Sequence, residues 1–214
     1  MRQLLILAVM VLGLAPPAQA DPLPVPPELK AFILRPDEKN AVLGLMGQQW
    51  HKIFENCATP KIQTMALVVI GPPKFDANGV PTSGEWRMVS HIAGCGETHI
   101  FSVEYLFTSD GQMKKVALLP GTTLADLRLE HDTLTYAAMA MARLKPEDCK
   151  DIVFLDTKFI AFDDGHQADP VNKRPWTEEW TVRTCAVTGV VPIHFVPDAT
   201  GTVISAASAR RVGP

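Results

Sequence analysis

Apolar positions fall into two periods along this chain. In "DEKNAVLGLMGQQWHKIFENC", Val42, Met46, Trp50 and then Ile53 or Phe54 recur every three to four residues, the stripe of an amphipathic helix. A second helix is predicted over His131–Leu144, with Asp132 as N-cap and Pro146 as stop. Between them "TMALVVIG" reads as a buried strand. "HIFSVEYLF" alternates, placing Phe101, Val103, Tyr105 and Phe107 on one face, and Asp110-Gly111 turns it back into "QMKKVALLPG". "DIVFLDTKFIAF", "EWTVRTC", "VVPIHFV" and "TVISA" give the later strands. Pro192 has no N–H to donate, which predicts an edge or a bulge there.

The order of these elements runs twice. Helix, Cys, strand, loop, Glu-Trp strand, Cys, strand, Asp/Gly turn and strand occur once around Cys57 and Cys95 and again around Cys149 and Cys185. Val103, Tyr105 and Phe107 match Val191, Ile193 and Phe195, and Asp110 matches Asp198. Matching Glu85-Trp86 to Glu179-Trp180 requires a gap of four before the cysteine. The pattern predicts an α+β fold of two tandem helix-plus-antiparallel-strand repeats, residues 37–121 and 122–206. Unrelated hairpins also alternate, which is the competing explanation of the likeness.

Both ends lie outside this pattern. Leu4–Leu14 is an apolar run after Arg2, and Ala18-Gln19-Ala20 has the small residues of a cleavage site, so 1–20 reads as a signal peptide. A helix of that run rises only about 16 Å, half a bilayer core. No later run is long and apolar enough to span a membrane, so none is expected after cleavage. "DPLPVPPELK" opens an extended proline-rich leader over 21–36, and 207–214 reads as a frayed tail.

Cleavage leaves 194 of the 214 residues and moves the formal charge from -3 to -4. The mature chain has no basic run interleaved with aromatics, which argues against a nucleic-acid partner. In an oxidising compartment four cysteines read as two disulfides. CxxC redox motifs and zinc spacings are missing. Three pairings are possible. The repeat favours Cys57–Cys95 and Cys149–Cys185, one staple per half, over bonds between matching positions of the two halves.

Candidates for chemistry are few. His51, His91, His99, His131, His166 and His194 lack the His-Glu-x-x-His spacing; His99, His194 and Glu104, all on predicted strands, are the nearest to a metal or hydrolytic site. "FDDGHQADP" lacks the ligand spacing of an EF-hand, and Met139 and Met141 point to opposite sides of a helix. No cofactor is expected. An apolar ligand between the halves would meet Trp50, Tyr105, Tyr136, Met139 or Phe195, residues that equally make an ordinary core.

The segment "RPWTEEWTVRTCAVTGVVPIHFVPDATGTVIS" is similar to a C-terminal signature of small uncharacterised exported proteins of Gram-negative bacteria. Trp180, Cys185, Phe195, Asp198, Gly201 and Thr202 carry the likeness, and Ala186 departs from the more usual Gly. The resemblance spans about thirty residues and implies export to the periplasm, with no activity attached. Together these readings lead to a non-catalytic binding or accessory protein of the cell envelope. It would hold a small apolar ligand or an envelope protein. A periplasmic enzyme using strand His and Glu residues and a structural envelope protein are the alternatives. Cleavage before Asp21 predicts an intact mass that lacks Met1–Ala20; a periplasmic chain that retains them refutes it.

Overall fold

The computed structural model describes residues 23–54, 60–94 and 96–213. The predicted signal peptide 1–20 and the expected Cys57–Cys95 bridge lie outside the described residues.

The fold is α+β. Helices α1 (Pro27–Ile33) and α2 (Pro36–Ile53) precede four strands: β1 (Lys61–Phe75), β2 (Pro81–Gly94), β3 (Glu97–Phe107) and β4 (Met113–Ala117). These form an antiparallel meander in the order β1-β2-β3-β4. Helix α3 (Leu127–Met141) follows, and then β5 (Val153–Phe162), a 3₁₀ turn (Val171–Lys173), β6 (Trp176–Thr184), β7 (Val187–Pro197) and β8 (Thr202–Ala206). They make a second antiparallel meander, to which β9 (Arg210–Val212) adds beside β7. Among the described residues no helix is long and apolar enough to cross a membrane.

Each sheet buries one face. Leu29, Phe32, Val42, Met46 and Trp50 from α1 and α2 pack on Trp86, Met88, Phe101, Val103 and Tyr105. Ala137 and Met141 of α3 pack on Trp180, Val182, Val191, Ile193 and Phe195. The strand period of two brings these residues to the inner face, as the alternation predicts. Trp86 stacks on Tyr105 at 5.1 Å between ring centroids and 22° between planes; Trp176 stacks on Phe195 at 4.6 Å and 14°.

The connection between the halves is itself a strap. Gly121 N–H donates to the Ile100 carbonyl at 2.9 Å, on the first sheet. Thr122 N–H donates to the Thr157 carbonyl at 2.6 Å, and Thr157 N–H to the Pro120 carbonyl at 2.7 Å, on the second. A Cβ at Gly121 would stand 2.0 Å from the Thr157 oxygen, and its φ of 115° suits glycine alone, so no other residue fits this close approach. Val153 and Leu155 of β5 then pack against the first core.

Cys149 and Cys185 are bonded, with Cα atoms 6.0 Å apart. The bridge ties the loop after α3 to the tight turn where Thr184 pairs with Val187. Closing a loop of 36 residues is worth roughly 4 kcal/mol in the chain-entropy model.

Several expectations change. The leader is not extended throughout: α1 forms after Pro26, because Leu29, Phe32 and Ile33 recur at helical spacing and are buried. The tail is held, since β9 pairs with β7. The strand read as buried, within β1, is a largely exposed edge strand; its apolar composition could not distinguish the two. Helix α3 starts earlier, capped by Asp126, whose carboxyl accepts from Leu129 N–H at 2.8 Å, and not by Asp132. Pro192 lies on a central strand, at the gap where β8 leaves β7 and β9 joins it, so its missing N–H breaks no ladder there.

Candidate functional site

The junction of the halves carries the most unusual chemistry of the chain. In "WTEEW", Trp176, Glu178 and Trp180 alternate along β6 and share its inward face. Glu178 is fully buried. One carboxyl oxygen accepts from Trp176 Nε1 and from Leu124 N–H, each at 2.8 Å. The other accepts from Trp180 Nε1 at 2.8 Å. A buried polar group of this kind is tolerable only when so satisfied. The arrangement fixes two indoles and pins the strap that leads into α3.

Glu130 lies one turn into α3, also buried. One of its oxygens accepts from Leu119 N–H at 3.1 Å; the other meets no hydrogen-bond partner among the described residues. Burial pushes its pKa up to about 7, against the lowering effect of Leu119 N–H and of Arg87, while Glu104 and Glu178 push it further up. Glu104, buried on β3, accepts from Arg87 Nη2 at 2.7 Å. Glu85 is raised as well, first by burial and then by Glu104. The Arg87 charge, paired with Glu104, opposes the rise at both Glu85 and Glu130.

Two open grooves flank this cluster. An apolar one, of about 1030 Å³, has walls from both halves: Ile70 of β1, Leu124 and Leu129 before and within α3, and Phe162, Val171 and Trp176. A more open acidic one lies between Glu85 and Glu104 of the first sheet and Asp126 and His131 at the start of α3.

The residues expected to line a ligand site do not converge. Trp50 and Tyr105 are buried in the first core and Phe195 in the second. Tyr136 and Met139 lie on the exposed face of α3, beside a shallow cleft against Ala206 and Ser208. None of the five lines the junction groove. Met141, unlike Met139, is buried. Among the strand charges, Arg87 pairs with Glu104, Glu179 with Arg210, and Arg183 donates to the Ile53 and Lys52 carbonyls.

The histidines form separate pairs. His99 meets Glu97 at 2.9 Å, His166 meets Asp169 at 2.9 Å, and His194 meets Asp163 at 2.8 Å. Among the described residues no three His, Cys, Asp or Glu side chains are grouped to hold a metal ion. Ser205 pairs with His194 in register across β7 and β8, but its hydroxyl is not hydrogen-bonded to the ring.

Sequence reasoning passed over Glu178, Glu130, Leu124 and Phe162. For Glu178 the signal was present: parity along β6 places it on the same face as two tryptophans. Compared with known proteins, the chain matches no family model, no curated protein and no solved structure.

Two outcomes follow from the buried acids. Glu178→Ala leaves three donors without their acceptor and should lower unfolding stability by at least about 3 kcal/mol, with a shift in tryptophan emission. A loss under about 1 kcal/mol in denaturant unfolding would refute the node. For Glu130, the folded pKa lies above the unfolded one, so between about 4.5 and 7 the native state binds more protons. Stability should fall as pH rises through that window, by up to about 3 kcal/mol, and then level off. Glu130→Gln keeps an acceptor for Leu119 and should flatten this part of the stability–pH curve.

Proposed function

We propose that this is a non-catalytic binding protein of the bacterial cell envelope, exported to the periplasm, that holds a small apolar ligand in the groove between its halves. The groove at Ile70, Leu124, Leu129, Phe162, Val171 and Trp176 carries the reading. Ile70 and Leu124 remain over two-fifths exposed, an arrangement that costs hydration free energy unless something covers it. The Cys149–Cys185 bridge is compatible with an oxidising compartment. The likeness of the C-terminal segment to exported Gram-negative proteins points the same way.

The chain also reads as a duplicated unit. Trp86 and Trp176 each lie eight residues before the end of their strand, and each stacks on the aromatic residue paired with it. On this register the equivalent of Trp86 is Trp176, not Trp180, and no gap is needed. Both helices carry a buried glutamate in their first turn, Glu38 and Glu130. Duplication accounts for a groove at the junction, where two like units meet without fully covering each other. The Cys57–Cys95 pairing belongs to the same reading.

Native mass spectrometry of periplasm-purified protein, together with titration of N-phenyl-1-naphthylamine, tests the binding. A retained apolar ligand or saturable probe binding that alters Trp176 emission is expected. Leu124→Glu, at an exposed position, should weaken probe binding at least about tenfold, because an ionised carboxyl is costly to seat against an apolar ligand. A bare mass with no saturable probe binding would overturn the proposal.

A further inference from the structure

The two grooves meet at Asp126. It stands with Leu124 and Leu129 on the apolar groove and with Glu85 and Glu104 on the acidic one. Among the described residues it is the one charged wall of the apolar groove. Its carboxyl caps α3 through Leu129 N–H and makes no ion pair among the described residues.

Carboxylates outnumber cations at this end. Arg87 pairs with Glu104 at 2.7 Å. Arg128 also lines the acidic groove, and His131 stands 3.7 Å from Asp132. Glu85 is half-buried and has neither a hydrogen bond nor an ion pair among the described residues. Burial first, then Glu104, and also Asp126, hold its carboxyl above the ordinary value, with Arg87 opposing. Glu85, Glu104 and Asp126 against Arg87 and Arg128 leave one negative charge beside the apolar groove.

The other end is balanced. Asn172, Pro197 and Thr202 belong both to the apolar groove and to a polar cleft, where Lys173 and Arg174 stand against Asp169 and Asp198. Asp169 meets His166, and Asp198 accepts from the N–H groups of Thr200 and Gly201. The Arg174 guanidinium already lies over the Phe162 ring, 5.8 Å from its centroid. A second cation there would meet Arg174, whereas at Asp126 it meets unpaired carboxylates.

We propose that the ligand of the apolar groove carries one ammonium group, seated against Asp126 and Glu85, with its apolar body along Leu124, Leu129 and Trp176. This rests on the reading of that groove as a binding site. A carboxylate partly removed from water without a partner is costly, and the cation of the ligand offsets that cost.

Displacement of N-phenyl-1-naphthylamine by decyltrimethylammonium, decyl sulfate and 1-decanol, each below its micelle concentration, tests it. The cation should compete at least about tenfold more strongly than the other two, by a margin that shrinks as salt rises. Glu85→Gln combined with Asp126→Asn removes both charges, and Asn still caps the helix. That variant should bring the three competitors level, with circular dichroism unchanged. If it misfolds, the salt dependence of the unaltered protein decides. Equal competition by all three, a margin indifferent to salt, or a margin kept in the folded variant overturns the proposal; bound probe then still upholds the groove. A preference for decyl sulfate that Lys173→Gln abolishes also overturns it, by placing the polar end of the ligand against Lys173. Absence of saturable probe binding overturns the groove and this proposal together.

Discussion

One carboxyl group, that of Glu178, sets the geometry on which the junction depends. It is fully buried and takes three N–H donors from three directions: two indoles of its own strand and the backbone of the strap. Trp176 is thereby held as a groove wall while it stacks on Phe195, and Trp180 is held as the centre of the second core. Leu124 N–H is fixed two residues before the cap of α3. Burying such a group is tolerable only because both carboxyl oxygens are hydrogen-bonded. The same satisfaction gives direction, which apolar packing alone does not.

The first sheet solves the equivalent problem without that group. Counting back from the end of β2, Met88 and Ser90 occupy the places of Glu178 and Trp180. Trp86 keeps the stack on its cross-strand aromatic, but its indole N–H finds no partner among the described residues. Polar chemistry in that half lies instead with Glu104 and Arg87, which pair with each other and act electrostatically on Glu130 of α3. The halves therefore share a layout and differ in where their charged groups lie. The difference concentrates titratable groups where the two halves touch.

Much of the layout is legible in the sequence because it rests on periodicity. The stripe Val42, Met46, Trp50 became α2, and the alternation from Phe101 to Phe107 became β3. Asp110-Gly111 made the turn, where Gly111 N–H bonds back to the Thr108 carbonyl. The Cys149–Cys185 bond is one of the two bridges that the repeat reading predicted. What stayed hidden depends on tertiary neighbours. An uncharged apolar strand reads the same whether a sheet continues beyond it or stops, so β1 was taken as buried. Large aromatics read alike as core or as ligand contact, and Trp50, Tyr105 and Phe195 were core. The groove is lined instead by Leu124 and Phe162, whose local patterns carry no mark of it.

The strap has a consequence for how the groove works. Residues 120–122 bond to Thr157 on one side, and Gly121 bonds to Ile100 on the other. Opening the halves like jaws would have to strip these bonds from a backbone approach too close for any side chain. A ligand of the proposed kind would therefore be sorted by fit to a cleft of set width, entering and leaving from its open side. Its selectivity would then lie in departure rates, with no closing step to report that the cleft is filled.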